Sequence, residues 1–138
     1  MADISVDDPY LTWIPAGQYE VTYLRHETRF VHSKKLIVTF VIVDGEYAGL
    51  TLPRYYNVQD FLGGIGESGK FRVGRKSRFY REYLSLFDPD SIRPDRMAMS
   101  RFRDVYLWAQ VRVVTQAGGI ALPLAAQYSV IDRLIEVS

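Results

Sequence analysis

The chain has 138 residues, of which 48% are hydrophobic, 14% aromatic and 24% charged, with a formal net charge of +1. This predicts one globular domain with its own core and excludes a disordered chain, and the absence of cysteine excludes disulfides, thiolate metal sites and cysteine nucleophiles. No apolar run approaches the roughly 20 residues of a membrane-spanning helix, and the N-terminus lacks a signal-peptide pattern, so we expect a soluble, cytoplasmic protein without a membrane partner.

The first part of the chain predicts an acidic arm and then a strand. Residues 1–13 contain three aspartates and show little periodicity, which predicts an extended N-terminal arm ahead of a single domain over 14–138. The alternation of apolar and polar residues predicts the first strand over 18–26. The polar stretch 28–33 predicts a connection to the next strand.

Two further strands are predicted before any helix. The run 34–43 has high β-propensity and ends at Asp44-Gly45, a dipeptide typical of tight turns. Residues 49–58 predict a third strand. Within it, Pro53 indicates an edge position or a bulge, because proline cannot donate a ladder hydrogen bond.

The second part of the chain predicts a loop, a helix and two strands. Five glycines within 60–74 indicate a mobile loop. Apolar residues at helical spacing predict an amphipathic helix over 75–87, whereas 90–103 is ambiguous and has room for a second short helix. The last two strands are predicted over 105–115 and 125–137.

Three strands, a helix and two strands, in this order, is the connectivity of an OB-fold. We therefore expect a mainly β protein, a five-stranded Greek-key barrel with a helix between the third and fourth strands. A ferredoxin-like or other α+β sheet is the alternative. The three consecutive strands before the helix disfavour it.

Basic residues are concentrated in one segment of the chain. Residues 70–103 contain ten basic and four acidic residues, whereas the remainder contains seven basic and twelve acidic ones. Within 70–81 the cations alternate with aromatic residues. Such a cluster suits a polyanion, because each neutralised phosphate releases condensed counterions. The alternative is a solvated helix face.

The segment 64–71, GIGESGKF, matches the beginning of a phosphate-binding P-loop. That motif requires a hydroxyl residue after the lysine to hold Mg²⁺, and Phe71 occupies the position. Nucleotide hydrolysis is therefore disfavoured against a glycine loop whose amides and Lys70 contact a nucleic-acid phosphate. The two histidines, His26 and His32, have no further ligands at metal-binding spacing. We expect no catalytic residue, no metal and no cofactor.

Aromatic residues suggest where bases could stack. Tyr55 and Tyr56 follow Arg54 on the third strand, and consecutive strand residues place a ring on each face. On the fourth strand, Trp108 and Arg112 alternate with aliphatic residues that we expect to face the core. These aliphatic residues are Val105, Leu107, Ala109, Val111 and Val113. A ring beside a guanidinium suits single-strand binding; the alternative is that the rings form a second core layer beneath the helix.

Four short segments resemble OB-fold proteins of phages, plasmids and integrative elements. They are IPAGQYEV at 14–21, VDGEYAGL at 43–50, FRDVYLWAQV at 102–111 and YSVID at 128–132. Proteins of this kind bind single-stranded DNA in replication or recombination, and the resemblance implies that the outer face of the second and third strands, with flanking loops, holds the strand. Many such proteins recruit partners through an acidic C-terminal tail, whereas residues 135–138 here are IEVS, so we do not expect recruitment of this kind.

We therefore expect a non-enzymatic protein that binds single-stranded DNA with weak sequence preference, forms a homo-oligomer and meets replication or recombination proteins. The predicted nucleic-acid-binding residues are Lys34, Lys35, Arg54, Tyr55, Tyr56, Lys70, Arg72, Arg75, Trp108 and Arg112. The main alternative is a protein-interaction or assembly module of a mobile element, in which 75–81 meets an acidic partner. A nucleotide-binding enzyme that uses 64–70 is a third, disfavoured alternative.

Overall fold

The computed structural model describes residues 12–87 and 97–138, and these residues contain nine strands and one α-helix. In chain order the elements are β1 (Gly17–Val31), β2 (Ser33–Ile42), β3 (Thr51–Asn57), β4 (Asp60–Leu62), β5 (Lys70–Arg72), α1 (Arg78–Phe87), β6 (Tyr106–Val114), β7 (Gln116–Ala117), β8 (Ile120–Ala121) and β9 (Tyr128–Val137). None of the described helical segments is long and apolar enough to cross a membrane.

The five longest strands form one antiparallel sheet in the order β3-β2-β1-β6-β9. The remaining strands form two small hairpins, β4 with β5 and β7 with β8. The mainly β prediction is confirmed, and so is the edge position of Pro53, because β3 is an edge strand. The sheet is not closed, since no ladder joins β3 to β9 in the described part of the chain; a closed barrel is therefore not confirmed.

One face of the sheet carries the core. Leu36, Val38 and Phe40 of β2 are fully buried on this face. The aliphatic residues predicted to be core on β6 are fully buried at 107, 109 and 111, whereas those at 105 and 113 are half-buried near the strand ends. The period of two explains the one-sided burial of β6, whereas in β2 the residues of the other face, Ile37 and Thr39, are buried as well.

The helix packs its aromatic side chains onto this core. α1 begins after Ser77, whose hydroxyl accepts a hydrogen bond from the backbone N–H of Tyr80 (3.1 Å) and so caps the first turn. The ring of Phe79 lies edge-on to that of Tyr56 (5.0 Å between centroids), and Tyr83 lies edge-on to Phe102 (5.9 Å). Such edge-to-face pairs add to the stabilisation from burial.

A helix carboxylate spans the gap between the two edge strands. β3 and β9 approach within 8 Å between Cα atoms although they share no ladder. Between them, Oε1 of Glu82 accepts hydrogen bonds from the hydroxyl of Tyr56 (3.1 Å) and the backbone N–H of Leu134 (2.9 Å). The same carboxylate pairs with the guanidinium of Arg54. The helix thus joins two edges that backbone pairing leaves apart.

The glycine-rich loop is anchored on β1 instead of lying free in solution. The backbone N–H of Thr28 donates to the carbonyl of Gly66 (2.9 Å), and that of Ser68 donates to the carbonyl of His26 (2.9 Å). The contact is so close that a Cβ at Gly69 would lie 2.1 Å from Oγ1 of Thr28. A loop predicted to be mobile therefore forms part of the packed structure.

Two sequence predictions fall largely outside the described residues. Of the predicted arm 1–13, only the last two residues are described, and Thr12 accepts a hydrogen bond from the backbone N–H of Ser129 (2.8 Å). Of the ambiguous segment 90–103, Met99–Phe102 forms a 3₁₀ turn.

Candidate functional site

The structure separates the predicted binding residues into several environments. Arg54 and Tyr56 are interior residues, with 4% and 2% of their surfaces exposed. Both contact the carboxylate of Glu82, and burial followed by this carboxylate raises the pKa of the Tyr56 hydroxyl well above its usual value. The prediction that these two side chains present a surface to nucleic acid is wrong, because the helix covers them.

Tyr55 and Lys35 lie on the face of the sheet opposite the core, in the part that β1, β2 and β3 form. In the ladder between β2 and β3, Tyr56 is opposite the core residue Leu36, so Tyr55 points to the opposite side. Lys35 shares this outer face and its ammonium donates to the side chain of Asn57. On β1, Arg29 is directly opposite Lys35 and adds a second cation to the face.

Lys34 and Arg72 meet at a shared carboxylate near the end of the sheet. The ammonium of Lys34 lies 2.8 Å from Oδ1 of Asp60, and the guanidinium of Arg72 lies 2.7 Å from Oδ2. The hydrogen bonds from Lys34 and then Arg72 lower the pKa of the Asp60 carboxyl. Because two cations share one carboxylate and all three side chains are substantially exposed, this cluster keeps a positive charge.

An exposed ring that sequence reasoning missed lies beside this cluster. Phe30 is directly opposite Lys34 in the ladder of β1 and β2, and 66% of its surface is exposed. The prediction ended the first strand at residue 26 and assigned 28–33 to a polar connection, whereas β1 continues to Val31. The β-branched and aromatic residues Thr28, Phe30 and Val31 were the signal that could have extended the strand.

A cleft of about 400 Å³ opens between the β4–β5 hairpin, β1 and the segment that precedes β6. We call it the hairpin cleft. Its lining residues are His26, Leu62, Ser68, Gly69, Lys70, Phe71, Arg72, Val73, Met97 and Met99. It combines two cations with a ring and several aliphatic or thioether side chains, and its volume falls within the roughly 300–1,000 Å³ typical of small-molecule pockets.

His26 supplies the cleft with a histidine that burial keeps neutral. Burial, and then the positive charge of Arg103, lower the pKa of His26 below its ordinary value of 6.5. Its Nδ1 lies 2.7 Å from the hydroxyl oxygen of Tyr23. The other ring nitrogen, Nε2, takes no part in this contact. A neutral imidazole offers one donor and one acceptor for hydrogen bonding.

Trp108 and Arg112 face outward on β6, as predicted, but their neighbours are acidic. Trp108 lies directly between Glu20 of β1 and Glu136 of β9 across the sheet. The guanidinium of Arg112 forms an ion pair with Asp132 (2.9 Å). Carboxylates around the indole oppose an approaching phosphate backbone, so this pair is a poor continuation of the cluster at the sheet end.

The remaining candidates divide between the cleft and the helix. Lys70 is exposed and lines the hairpin cleft together with Arg72. Arg75 is exposed in the turn ahead of α1 and does not line the cleft. The structure therefore brings together Lys34, Lys70 and Arg72, and it places Lys35 with Tyr55 on the opposite face of the sheet.

Comparison with known proteins adds no identification. No family model, no curated protein and no solved structure matches this chain. Among the described residues, no group of three or more histidine, aspartate and glutamate side chains is arranged to hold a metal ion.

Proposed function

We propose that this chain is a single-stranded DNA-binding protein with weak sequence preference, built on an open OB-type barrel. The long strands, renumbered one to five along the chain, follow the order 3-2-1-4-5 with the helix between the third and fourth. The approach of β3 to β9 would bring the fifth strand next to the third, as in a small Greek-key barrel. This arrangement supports the proposal at the level of the fold.

The observation that carries the proposal is an exposed ring beside Lys34, which shares the carboxylate of Asp60 with Arg72 of the hairpin cleft. Phe30 offers a stacking surface next to Lys34, while Lys70 and Arg72 line the hairpin cleft. Stacking of a base on an aromatic ring contributes about 1–3 kcal/mol and tolerates any base. Cations that follow the phosphates add affinity without reading sequence.

The path of the strand follows from these positions. Bases stack on Phe30 and enter the hairpin cleft, while phosphates lie along Lys34, Arg72 and Lys70. Tyr55 and Lys35 lie on the opposite face of the sheet and are therefore outside this path. The reaction is binding alone and requires neither a catalytic group nor a cofactor.

The wider setting belongs to the same proposal. The resemblance to proteins of mobile elements supports a role in replication or recombination with proteins of those processes as partners. Ile120 and Leu124, 74% and 83% exposed, are apolar surface that supports self-association.

The proposal predicts that Phe30→Ala and Lys70→Glu each weaken the binding of a labelled oligothymidylate of about 15 nucleotides. For Phe30→Ala we expect a loss of about 5- to 100-fold, the equivalent of one lost stacking contact. For Lys70→Glu we also expect a shallower dependence of affinity on salt, by about 0.7 in the logarithmic slope for each lost phosphate contact. Fluorescence anisotropy across a salt series measures both effects.

Matched controls lie on other surfaces of the molecule. Tyr106→Ala removes a ring that is 54% exposed on β6, and Arg81→Glu reverses a charge on α1; neither change should alter oligonucleotide affinity by more than about twofold. No binding by the wild-type protein at low salt would refute the function. Binding that responds equally to the controls and to the two site variants would refute the site.

A further inference from the structure

A second charged surface lies between α1 and β9. It is a groove of about 420 Å³, which we call the arginine groove. Its lining residues are Arg78, Arg81, Glu82 and Ser85 from the helix and Asp132, Arg133, Leu134 and Ile135 from the strand. The hairpin cleft uses β1, β4 and β5, so the two sites share no element.

The helix contributes one continuous stripe to the groove. Positions 78, 81, 82 and 85 follow the spacing i, i+3, i+4 and i+7, which places their side chains on the same side of a helix. The opposite side carries Phe79, Tyr80 and Tyr83, which are buried in the core. The sequence of α1 thus directs its arginines toward β9 and away from the core.

The side of the groove that β9 forms is interrupted by two bulges, which expose its side chains. The ladder between β6 and β9 shifts register twice, and these shifts leave Asp132 and Ile135 without partners in β6. Bulges of this kind bend an edge strand and redirect its side chains. Arg133 lies between the two bulges and is exposed on the groove.

The two carboxylates at the groove are already neutralised by arginines outside it. Glu82 pairs with Arg54, and Asp132 pairs with Arg112. The guanidinium groups of Arg78, Arg81 and Arg133 form no ion pair with any residue in the described ranges. The groove therefore presents three positive charges to a ligand.

The composition of the walls favours carboxylates over a polynucleotide. None of the described residues that line the groove is aromatic, so it lacks the rings on which successive bases stack in single-strand-binding proteins. Guanidinium groups bind carboxylates in a planar, two-point geometry, and the half-buried side chain of Ile135 offers apolar contact beside the charges. An extended acidic peptide matches this combination.

We propose that the arginine groove binds a short acidic peptide segment of a partner protein, independently of DNA at the hairpin cleft. Arg78, Arg81 and Arg133 pair with the carboxylates of the peptide, and its apolar side chains contact Ile135. The protein would then hold a polynucleotide and a protein partner on different elements at the same time.

The test uses a fluorescein-labelled peptide of about eight residues, in which six aspartates or glutamates flank two leucines. We expect binding to the wild-type protein that weakens as salt rises, and a loss of at least about tenfold in Arg78→Glu/Arg81→Glu. Arg103→Glu is the matched control, since it reverses an exposed charge outside the groove, and it should change peptide affinity by less than about threefold. A peptide with Asn and Gln in place of the acidic residues should not bind.

The same variants separate the possible outcomes. If Arg78→Glu/Arg81→Glu weakens oligothymidylate binding and the acidic peptide does not bind, the groove belongs to the nucleic-acid site and the peptide proposal is overturned. Equal losses in the groove variant and in Arg103→Glu would also overturn it, because they would indicate attraction to the whole surface. Since Lys70→Glu tests DNA binding separately, failure at one site leaves the other interpretable.

Discussion

Tyr55 and Tyr56 are neighbours in the chain, yet one lies on the surface of the sheet and the other is buried. Strand geometry sends consecutive side chains to opposite faces, so a pair of adjacent rings on a strand cannot serve one ligand together. The same rule separates Lys34 from Lys35: one lies with Asp60 at the hairpin, and the other lies with Asn57 on the outer face.

His26 makes the stability of the fold depend on pH. Its pKa is lower in the folded state than its ordinary value of 6.5, because burial and then Arg103 disfavour the charged ring. Below about pH 7.5 the unfolded chain therefore binds more protons than the folded one, and the free energy of unfolding falls as the pH falls through 6.5 toward the folded pKa. We expect urea denaturation at pH 7.5 and 5.5 to show a larger loss of stability in the wild type than in His26→Gln.

The carboxyl of Asp60 acts in a lower pH range. Its pKa is lowered from 3.8 by hydrogen bonds from Lys34 and Arg72, so the stability that it contributes is lost only in more acidic solution. The comparison between pH 7.5 and 5.5 therefore isolates the histidine. An equal loss in wild type and His26→Gln would contradict its role.

At the scale of elements, the glycine loop packs most closely on β1 at Gly69. Gly69→Ala places a methyl group 2.1 Å from Oγ1 of Thr28, which forces the loop away from β1. We expect a loss of about 1–3 kcal/mol in the free energy of unfolding, as for other overpacked sites. Gly64→Ala in the same loop is the control, because no atom lies within 4 Å of its added methyl group; it should be neutral or slightly stabilising. Thermal or urea unfolding of both variants measures the difference, and equal stability would show that the loop can move at no cost.

At the scale of the whole molecule, the carboxylate of Glu82 joins the helix to both edges of the open sheet. It forms an ion pair with Arg54 of β3 and accepts a hydrogen bond from the backbone N–H of Leu134 in β9. Glu82→Gln leaves the guanidinium buried without a counter-charge, for which we expect a loss of about 3–5 kcal/mol. Arg54→Met/Glu82→Gln removes both charges and keeps an amide oxygen for Tyr56 and Leu134. We expect the double variant to lose less than the sum of the two single variants, with a coupling of at least about 1 kcal/mol in urea denaturation.

An exposed ion pair provides the control for this cycle. Arg112 and Asp132 are about half exposed, so Asp132→Asn should cost less than about 1 kcal/mol. Additive losses at Arg54 and Glu82 would contradict the view that this pair holds the molecule together across the gap.

Much of the architecture was predictable because it depends on local patterns. High β-propensity identified β2, the period of two identified β6 and β9, the helical spacing identified α1, and Pro53 indicated an edge strand. The candidate site was less predictable. The sequence did not indicate Phe30, because its strand continues into a stretch that was predicted to be a polar connection. Lys34 and Arg72 are brought together only by the carboxylate of Asp60, which lies on a different hairpin from Lys34.

The amino-acid sequence by itself therefore determined the mainly β class, the order of the five long strands and the helix, and the buried face of β6. Only the tertiary structure decided that Arg54 and Tyr56 are interior, that Phe30 is exposed, and that the cations form two separate surfaces. The physical reason is the separation along the chain of the residues that interact. Alternation along a strand reports which residues share a face, whereas the element that covers each face is chosen by contacts between residues far apart in the chain, such as Glu82 of the helix with Arg54 of β3.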